Sequence, residues 1–266
     1  MIFEISTFLL GVLLAFIISY LSYKVKFLTI SGSAAAFIIG SIVFGLGGIA
    51  WSVPILSFFL SSSLLTIMNV HKNLEVSGYL SKNKQRNFCQ VLANGLVPTL
   101  IILLNLIFDE SFFIYLYISS VAAVCADTWG TEIGTWNKTA TYNILTMNRA
   151  NQGESGGISV IGTIGCFCGA LFVAVSSLIY IDLKFDYLLL VIISGVAGSL
   201  VDSILGASVQ VQYLCPKCGK IVDQTNHCNI EINYKRGIKI INNDVVNLLA
   251  GTSGAIFFFI IYLTFN

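Results

Sequence analysis

Residues 119–134 read SSVAAVCADTWGTEIG, and their reading decides the fold. They belong to an uncharged run that begins at Ser111 and stops at Asp127, with Glu132 five residues further on. Only 10% of the 266 residues are charged, 56% are hydrophobic, and the mean hydropathy is +0.86. Soluble domains carry about 25% charged residues. The run is therefore a membrane span with carboxylates at its end, and the chain is an all-α polytopic membrane protein. A net charge of +1 gives no electrostatic support to a nucleic-acid partner.

Outward from this stretch, windows of roughly the ~20 apolar residues a span needs recur along the chain. They lie at about 3–23, 32–48, 51–68, 88–108, 112–127, 157–181, 187–206 and 244–264. This predicts about eight transmembrane helices in a single integral membrane domain, 1–266. The second window is short and ends in GLGG, so it either crosses or re-enters. The first carries Glu4 and no basic segment before it, which suits a retained span rather than a signal peptide. Of the 14 basic residues, 13 fall in the loops 24–31, 69–87, 128–156 and 207–243, and only Lys184 falls opposite. The positive-inside rule places those loops in the cytoplasm and both termini outside. Cys89, Cys125, Cys166 and Cys168 lie in or at spans, where a thiol acts as a small apolar group.

SSVAAVCADT (119–128) aligns with SGVAGSLVDS (194–203), which pairs Asp127 with Asp202. Either this is chance between small apolar stretches, or an internal parallel repeat sets two carboxylates at one depth. Ionisable groups in spans are costly and usually functional, and Asp127, Glu132, Asp202 and Asp244 all lie near the same ends. Glu132 stands about 140° around a helix from Asp127. The two converge only if the helix breaks at Gly130; otherwise Glu132 points elsewhere. In NNDVVNLLAG, Asn243 is placed to cap the last helix, with Asp244, Asn247 and Gly251 on one face. Asn87, Gln90 and Asn94 form a similar stripe on the fourth span. Such stripes serve either helix–helix hydrogen bonding or ligand binding. NQGESGGIS, with Ser155, Gly156 and Gly157 and with Arg149 just before it, suits a phosphate at a helix entrance, although Glu154 would repel a bare one. The loop 207–243 is too short for a core of its own and contains CPKCG and NHC. Cys215, Cys218, His227 and Cys228 make a candidate zinc knuckle of unusual spacing.

In order, SGSAAAFIIGSIVFGLGG, FFLSSSLLT, QVLANG, ADTWGTEIG, SGGIS, DSILGASVQ, NHC and NNDVVNLLAG resemble the domain of unknown function 92 family over nearly the whole chain. That family includes transmembrane protein 19 and the plant phytyl-phosphate kinase. The resemblance implies nucleotide-dependent phosphorylation of an isoprenoid phosphate, with CTP as donor and a divalent metal. It carries the family motifs onto Asp127 and Glu132, onto Asp202 and Gly206, and onto Asn243, Asp244 and Asn247. This chain has Gly153-Glu154-Ser155-Gly156-Gly157 where the family usually has a threonine after the first glycine.

Phosphoryl transfer needs charge neutralised and oxygens aligned more than it needs covalent chemistry. Asp127, Asp202 and Asp244 are the expected Mg²⁺ ligands. Arg149, with Lys84 or Arg86, is expected to steady the nucleotide, and Gln90, Asn94 and Asn247 the phosphates. The expectation is a kinase in a bacterial or archaeal cell membrane, its active site facing the cytoplasm, that converts a prenyl or phytyl monophosphate to the diphosphate. The alternatives are a prenyl-alcohol kinase, with Glu132 or Asp127 as base, a lipid cytidylyltransferase, and, from another class, an ion-coupled transporter.

Overall fold

The computed structural model describes residues 5–72, 85–137, 139–223, 225–228 and 230–265. Among these residues it has eight α-helices: α1 (Ile5–Lys24), α2 (Ile30–Ile42), α3 (Gly48–Lys72), α4 (Phe88–Phe108), α5 (Phe113–Gly134), α6 (Val160–Ser177), α7 (Phe185–Ser208) and α8 (Asn243–Phe265). Seven helical stretches are long and apolar enough to cross a membrane, one of them the 40-residue stretch Ile30–Asn69. As one rod it would measure about 60 Å, twice the hydrocarbon thickness. It is instead folded in two. A π-helical turn, Val43–Gly47, leads to Gly48 at φ 72° and ψ −168°, where the helix cannot continue. Phe27, just before α2, then meets Phe59 of α3 edge to face and lines a pocket with Ser63 and Thr66. The residues just before α2 therefore lie near the later half of α3, so the chain doubles back, while α2 itself packs on α1 and α4. The second hydropathy window, α2 with the π-helical turn, is the first arm of this folded stretch.

Helices that enter from the loop-bearing end are opened by side-chain caps. Thr29 accepts from the Gly32 amide at 3.1 Å and Ser159 from the Gly162 amide at 3.1 Å. Asn87 and Gln90 form a reciprocal capping box, each bond 3.0 Å. The cap of α8 is Asn242, whose Oδ1 accepts from the Val245 amide at 3.0 Å; Asn243, expected to cap, is already the first helical residue. α5 and α7, which start at the other end, have no side-chain cap.

α5 is the central helix. Fourteen of its 22 residues are buried, and it packs on α3, α4, α6, α7 and α8. It runs unbroken through Gly130 to Gly134, seven residues past the hydropathy window. Its small, polar last turns lower the hydropathy without leaving the bundle, because α6 lies against them. A Cβ on Gly165 would come within 2.8 Å of the Trp129 carbonyl, and one on Gly169 within 2.9 Å of the Cys125 carbonyl. Such close approach is how helices associate where lipid is as apolar as their side chains.

The extramembrane segments between α5 and α6 and between α7 and α8 form small sheets. β1 (Thr141–Asn143) lies between β2 (Arg149–Ala150) and β3 (Gly157–Ile158). β4 (Gln212–Leu214) lies between β5 (Ile221–Val222) and β8 (Asn233–Arg236), and β6 (Asn226–His227) pairs with β7 (Ile230–Glu231). All these pairings are antiparallel.

Candidate functional site

The two halves of the sequence similarity pack side by side. α5 and α7 run in the same direction, and Gly198 of α7 comes so close to Ala123 of α5 that a Cβ there would stand 2.5 Å from the alanine's. One turn further toward the loop-bearing end, the carboxyl groups of Asp127 and Asp202 come within hydrogen-bonding reach of each other. Asp202 Oδ2 is buried and accepts no hydrogen bond among the described residues. A buried carboxylate oxygen without a donor is costly unless a proton or a cation is shared there. Cys166 of α6 borders the pair and meets Ser199 Oγ at 3.3 Å. Gly130 makes room for that thiol, since a Cβ there would lie 2.3 Å from its sulfur.

A third carboxylate, Asp223, comes from the segment after α7, and Asp202 feels its charge. Ser155 Oγ lies 2.8 Å from both Asp223 oxygens and donates to the carboxylate, while Gln210 Nε2 donates to Ser155 Oγ at 3.2 Å. Burial, with Glu154 nearby, pushes the Asp223 carboxyl up to about 6. Gly156, at φ 80°, sits directly on α7: a Cβ there would meet the Cα of Ala207 at 2.5 Å. Gln212 Nε2 donates to the Ser155 and Gly206 carbonyls, both at 3.4 Å. Arg236 Nε donates to Gln212 Oε1 at 2.8 Å, and its Nη1 donates to the Ala207 carbonyl. These bonds satisfy the carbonyls at the C-terminal end of α7 and lock the Ser-Gly-Gly loop beside Asp202.

Glu132 faces a different centre. Thr66 Oγ1 donates to its Oε1 at 2.5 Å and Asn69 Nδ2 to its Oε2 at 2.8 Å. Asn69 Nδ2 also donates to Thr135 Oγ1 at 2.7 Å. Desolvation draws the Arg86 guanidinium below its ordinary range and the Glu132 charge opposes that fall, so the two are electrostatic partners. With α5 unbroken, Glu132 and Asp127 do not converge. Arg86 and Asn94 line an otherwise mostly apolar cavity of about 80 Å³ among α1, α2, α3 and α4. Pro98 has no N–H to offer the Asn94 carbonyl, which frees that oxygen one turn below.

The remaining expected residues are dispersed. Asp244 is half-buried in the first turn of α8, and no hydrogen bond or charge coupling joins it to the pair among the described residues. Asn247 lies one turn below Gly251, which packs on Ser120 and Val124, so it stands at the level of Asp127. Asn243 is exposed. Gln90 is engaged in the capping box. Arg149 is exposed on β2, in the sheet whose far edge holds Gly157. Gly157 donates its amide to the Glu154 carbonyl at 2.9 Å. Lys84 and the side chain of His227 lie outside the described residues. The thiols of Cys215, Cys218 and Cys228 all lie within 4.8 Å of one another.

Sequence reasoning missed Asp223, Gln210, Gln212 and Arg236. One signal was present: VQVQY (209–213) alternates apolar and amide residues, as a strand with one polar face does. Gln210 and Gln212 are both fully buried.

Comparison with known proteins bears on the whole chain. Protein PGR of Arabidopsis thaliana is 28% identical over 265 residues, covering 90% of this chain and 91% of that one. An uncharacterized membrane protein of Methanocaldococcus jannaschii is 28% identical over 255 residues, 96% of this chain and 94% of the other. Protein VTE6, chloroplastic, of Arabidopsis thaliana is 24% identical over 236 residues, 86% of this chain and 63% of that one. No solved structure matches. The model of the family "Integral membrane protein DUF92" matches residues 13–255, and the chain belongs to that family of multi-pass membrane proteins.

Proposed function

We propose that this protein is a membrane-embedded kinase that transfers a phosphoryl group from CTP to a prenyl or phytyl monophosphate, at the cytoplasmic face of a bacterial or archaeal cell membrane. The observation that carries the reading is the Asp127–Asp202 contact with the unpartnered Asp202 Oδ2, at the end of the bundle that bears the extramembrane loops. This donor set suits a hard divalent cation such as Mg²⁺, which takes one or two carboxylates and keeps its other positions for water and phosphate oxygens. When bound, the cation would neutralise phosphate charge; Asp127 and Asp202 would hold it, and Asn247 stands at the same level.

The other residues fit supporting parts. The Ser-Gly-Gly loop is anchored on the end of α7 by Gln212 and Arg236, so its backbone is held rigid beside the carboxylates. Arg149 is exposed on the same sheet and free to meet a polyphosphate. The cavity lined by Arg86 and Asn94 is mostly apolar elsewhere, which suits part of an isoprenoid tail with its polar head toward the loops. Glu132 favours a phosphate acceptor over an alcohol. An alcohol needs a base for its proton, whereas Glu132 is bonded to Thr66 and Asn69 away from the pair. A monophosphate is already ionised near neutral pH and needs no strong base.

The test is transfer from labelled CTP and ATP to phytyl, geranylgeranyl and undecaprenyl monophosphates by reconstituted protein. Label should appear in a prenyl diphosphate with CTP. Asp127→Asn and Asp202→Asn should each lower the rate by about 100-fold or more, the scale of losing one charge-stabilising group. Asp244→Asn should cost less. No transfer to any acceptor, or full activity in Asp127→Asn, overturns the reading.

A further inference from the structure

The segment between α7 and α8 contains a second chemical centre that the kinase reading does not use. Residues 207–243 fold into short strands with few buried side chains, which is too little apolar burial to hold a shape unaided. Yet Cys215 is fully buried, and the sulfurs of Cys215, Cys218 and Cys228 lie within 4.8 Å of one another. None of the seven cysteines is in a disulfide. In a tetrahedral site with Zn–S bonds of ~2.3 Å, thiolates sit about 3.8 Å apart, so these three need little movement to share one ion.

The turn that presents them is built for it. Gly219 donates its amide to the Cys215 carbonyl at 2.9 Å, and Cys215 donates its amide to the Lys220 carbonyl at 2.9 Å. Gly219, at φ 69°, closes the knuckle, which turns Cys215 and Cys218 to one side. Cys228, at φ 55°, brings the third sulfur from the turn after β6. Three soft donors select zinc over the hard cations that carboxylates prefer.

The position of this knuckle gives it a consequence. It is the loop of the β4–β5 hairpin: β4 ends at Leu214, the knuckle follows, and β5 is Ile221–Val222. The next residue is Asp223, which accepts from Ser155 and whose charge reaches Asp202. β4 itself carries Gln212, which bonds the Ser155 and Gly206 carbonyls.

We propose that Cys215, Cys218 and Cys228 hold a structural zinc ion, and that this ion staples the hairpin that sets Asp223 against Ser155 beside the Asp127–Asp202 pair. The fourth ligand comes from a further side chain or from water. The ion is not a reactant; its effect on turnover, which rests on the kinase reading, comes through the placement of Asp223 and the Ser-Gly-Gly loop.

The test uses the full chain, expressed with zinc in the medium and purified in detergent without chelator. Elemental analysis should find about one zinc per chain, and Cys215→Ser, Cys218→Ser and Cys228→Ser should each lower it to about a tenth or less. Replacement by Co²⁺ should give thiolate charge-transfer absorption. Less than about a tenth of a zinc in the wild-type chain, a Cys215–Cys218 disulfide in its place, or unchanged zinc in a Cys215→Ser/Cys218→Ser double variant overturns the metal site. For the staple, hydrogen exchange is followed at the amides of residues 153–157 and 221–223. Removing zinc should speed it by about tenfold or more, while Asp223→Ala, which deletes the acceptor of the Ser155 hydroxyl, should keep the zinc and speed only 153–157. Unchanged exchange after zinc loss overturns the positioning role. None of these readouts needs a nucleotide or a lipid, so a failed kinase assay leaves them standing, and their failure leaves the kinase assay standing.

Discussion

Asp127 and Glu132 are five residues apart on one helix, and their neighbours give them different work. Asp127 meets a second carboxylate and an oxygen with no donor. Glu132 meets two donors and the Arg86 charge. Helical spacing alone set them about 140° apart, and the unbroken α5 preserves that angle. Glu132 therefore acts on stability. Glu132→Gln should lower the thermal midpoint in detergent, by an amount corresponding to about 1–3 kcal/mol, because Arg86 loses its counter-charge and a buried network is left mismatched. It should leave far more transfer activity than Asp127→Asn. Both carboxylates were legible in the sequence, as rare charges in an apolar chain. Their separate roles were not, because Thr66, Asn69 and Arg86 come from distant segments.

At the scale of elements, the site is a matter of how closely helices and loops approach. Gly198 touches Ala123, and a Cβ there would also meet the Ala250 carbonyl at 2.7 Å. Gly198→Leu should push α7 away from α5 and α8, destabilise by about 1–3 kcal/mol, and separate Asp202 from Asp127. Its signature is transfer activity reduced more than the midpoint shift alone explains. The docked loop should respond to pH. The Asp223 carboxyl is raised from 3.8 to about 6, first by burial and then by Glu154, against the hydrogen bonds from Ser155 and Gln210. The Asp202 carboxyl is within electrostatic range of it as well. A carboxyl raised on folding adds stability that is fully present below pH 3.8 and is lost as pH rises through about 6. The loop 153–157 should therefore exchange its amides more slowly at pH 5 than at pH 7.5, after correction for intrinsic rates. Asp223→Asn should remove that difference. Neither Asp223 nor its partners could be placed from the sequence, since their bonds cross 55 to 68 positions of the chain.

For the whole molecule, the eight helices and the fold at Gly48 return the chain so that both ends of the bundle sequence, α1 and α8, have their outer ends on the side away from the sheets. Reporters at the two termini should therefore agree with each other, and a label on exposed Asn148 should report the opposite side. The basic loops predict that Asn148 is cytoplasmic; labelling of Asn148 from outside intact cells would reverse the orientation. Hydropathy alone determined that the chain spans a membrane, nearly where each helix lies, and which end holds the charged groups. It could do so because a bilayer imposes a length and a polarity on every span. The pairing of Asp127 with Asp202 was visible as a faint similarity between two segments. Tertiary structure alone decided that the pair meets, that Asp223 rather than Asp244 comes within electrostatic range of it, and that Glu132 is turned away. The reason is geometric: depth along a helix follows from position in the sequence, whereas which side chains share a point depends on helix rotation and packing, and those are set by contacts between distant segments.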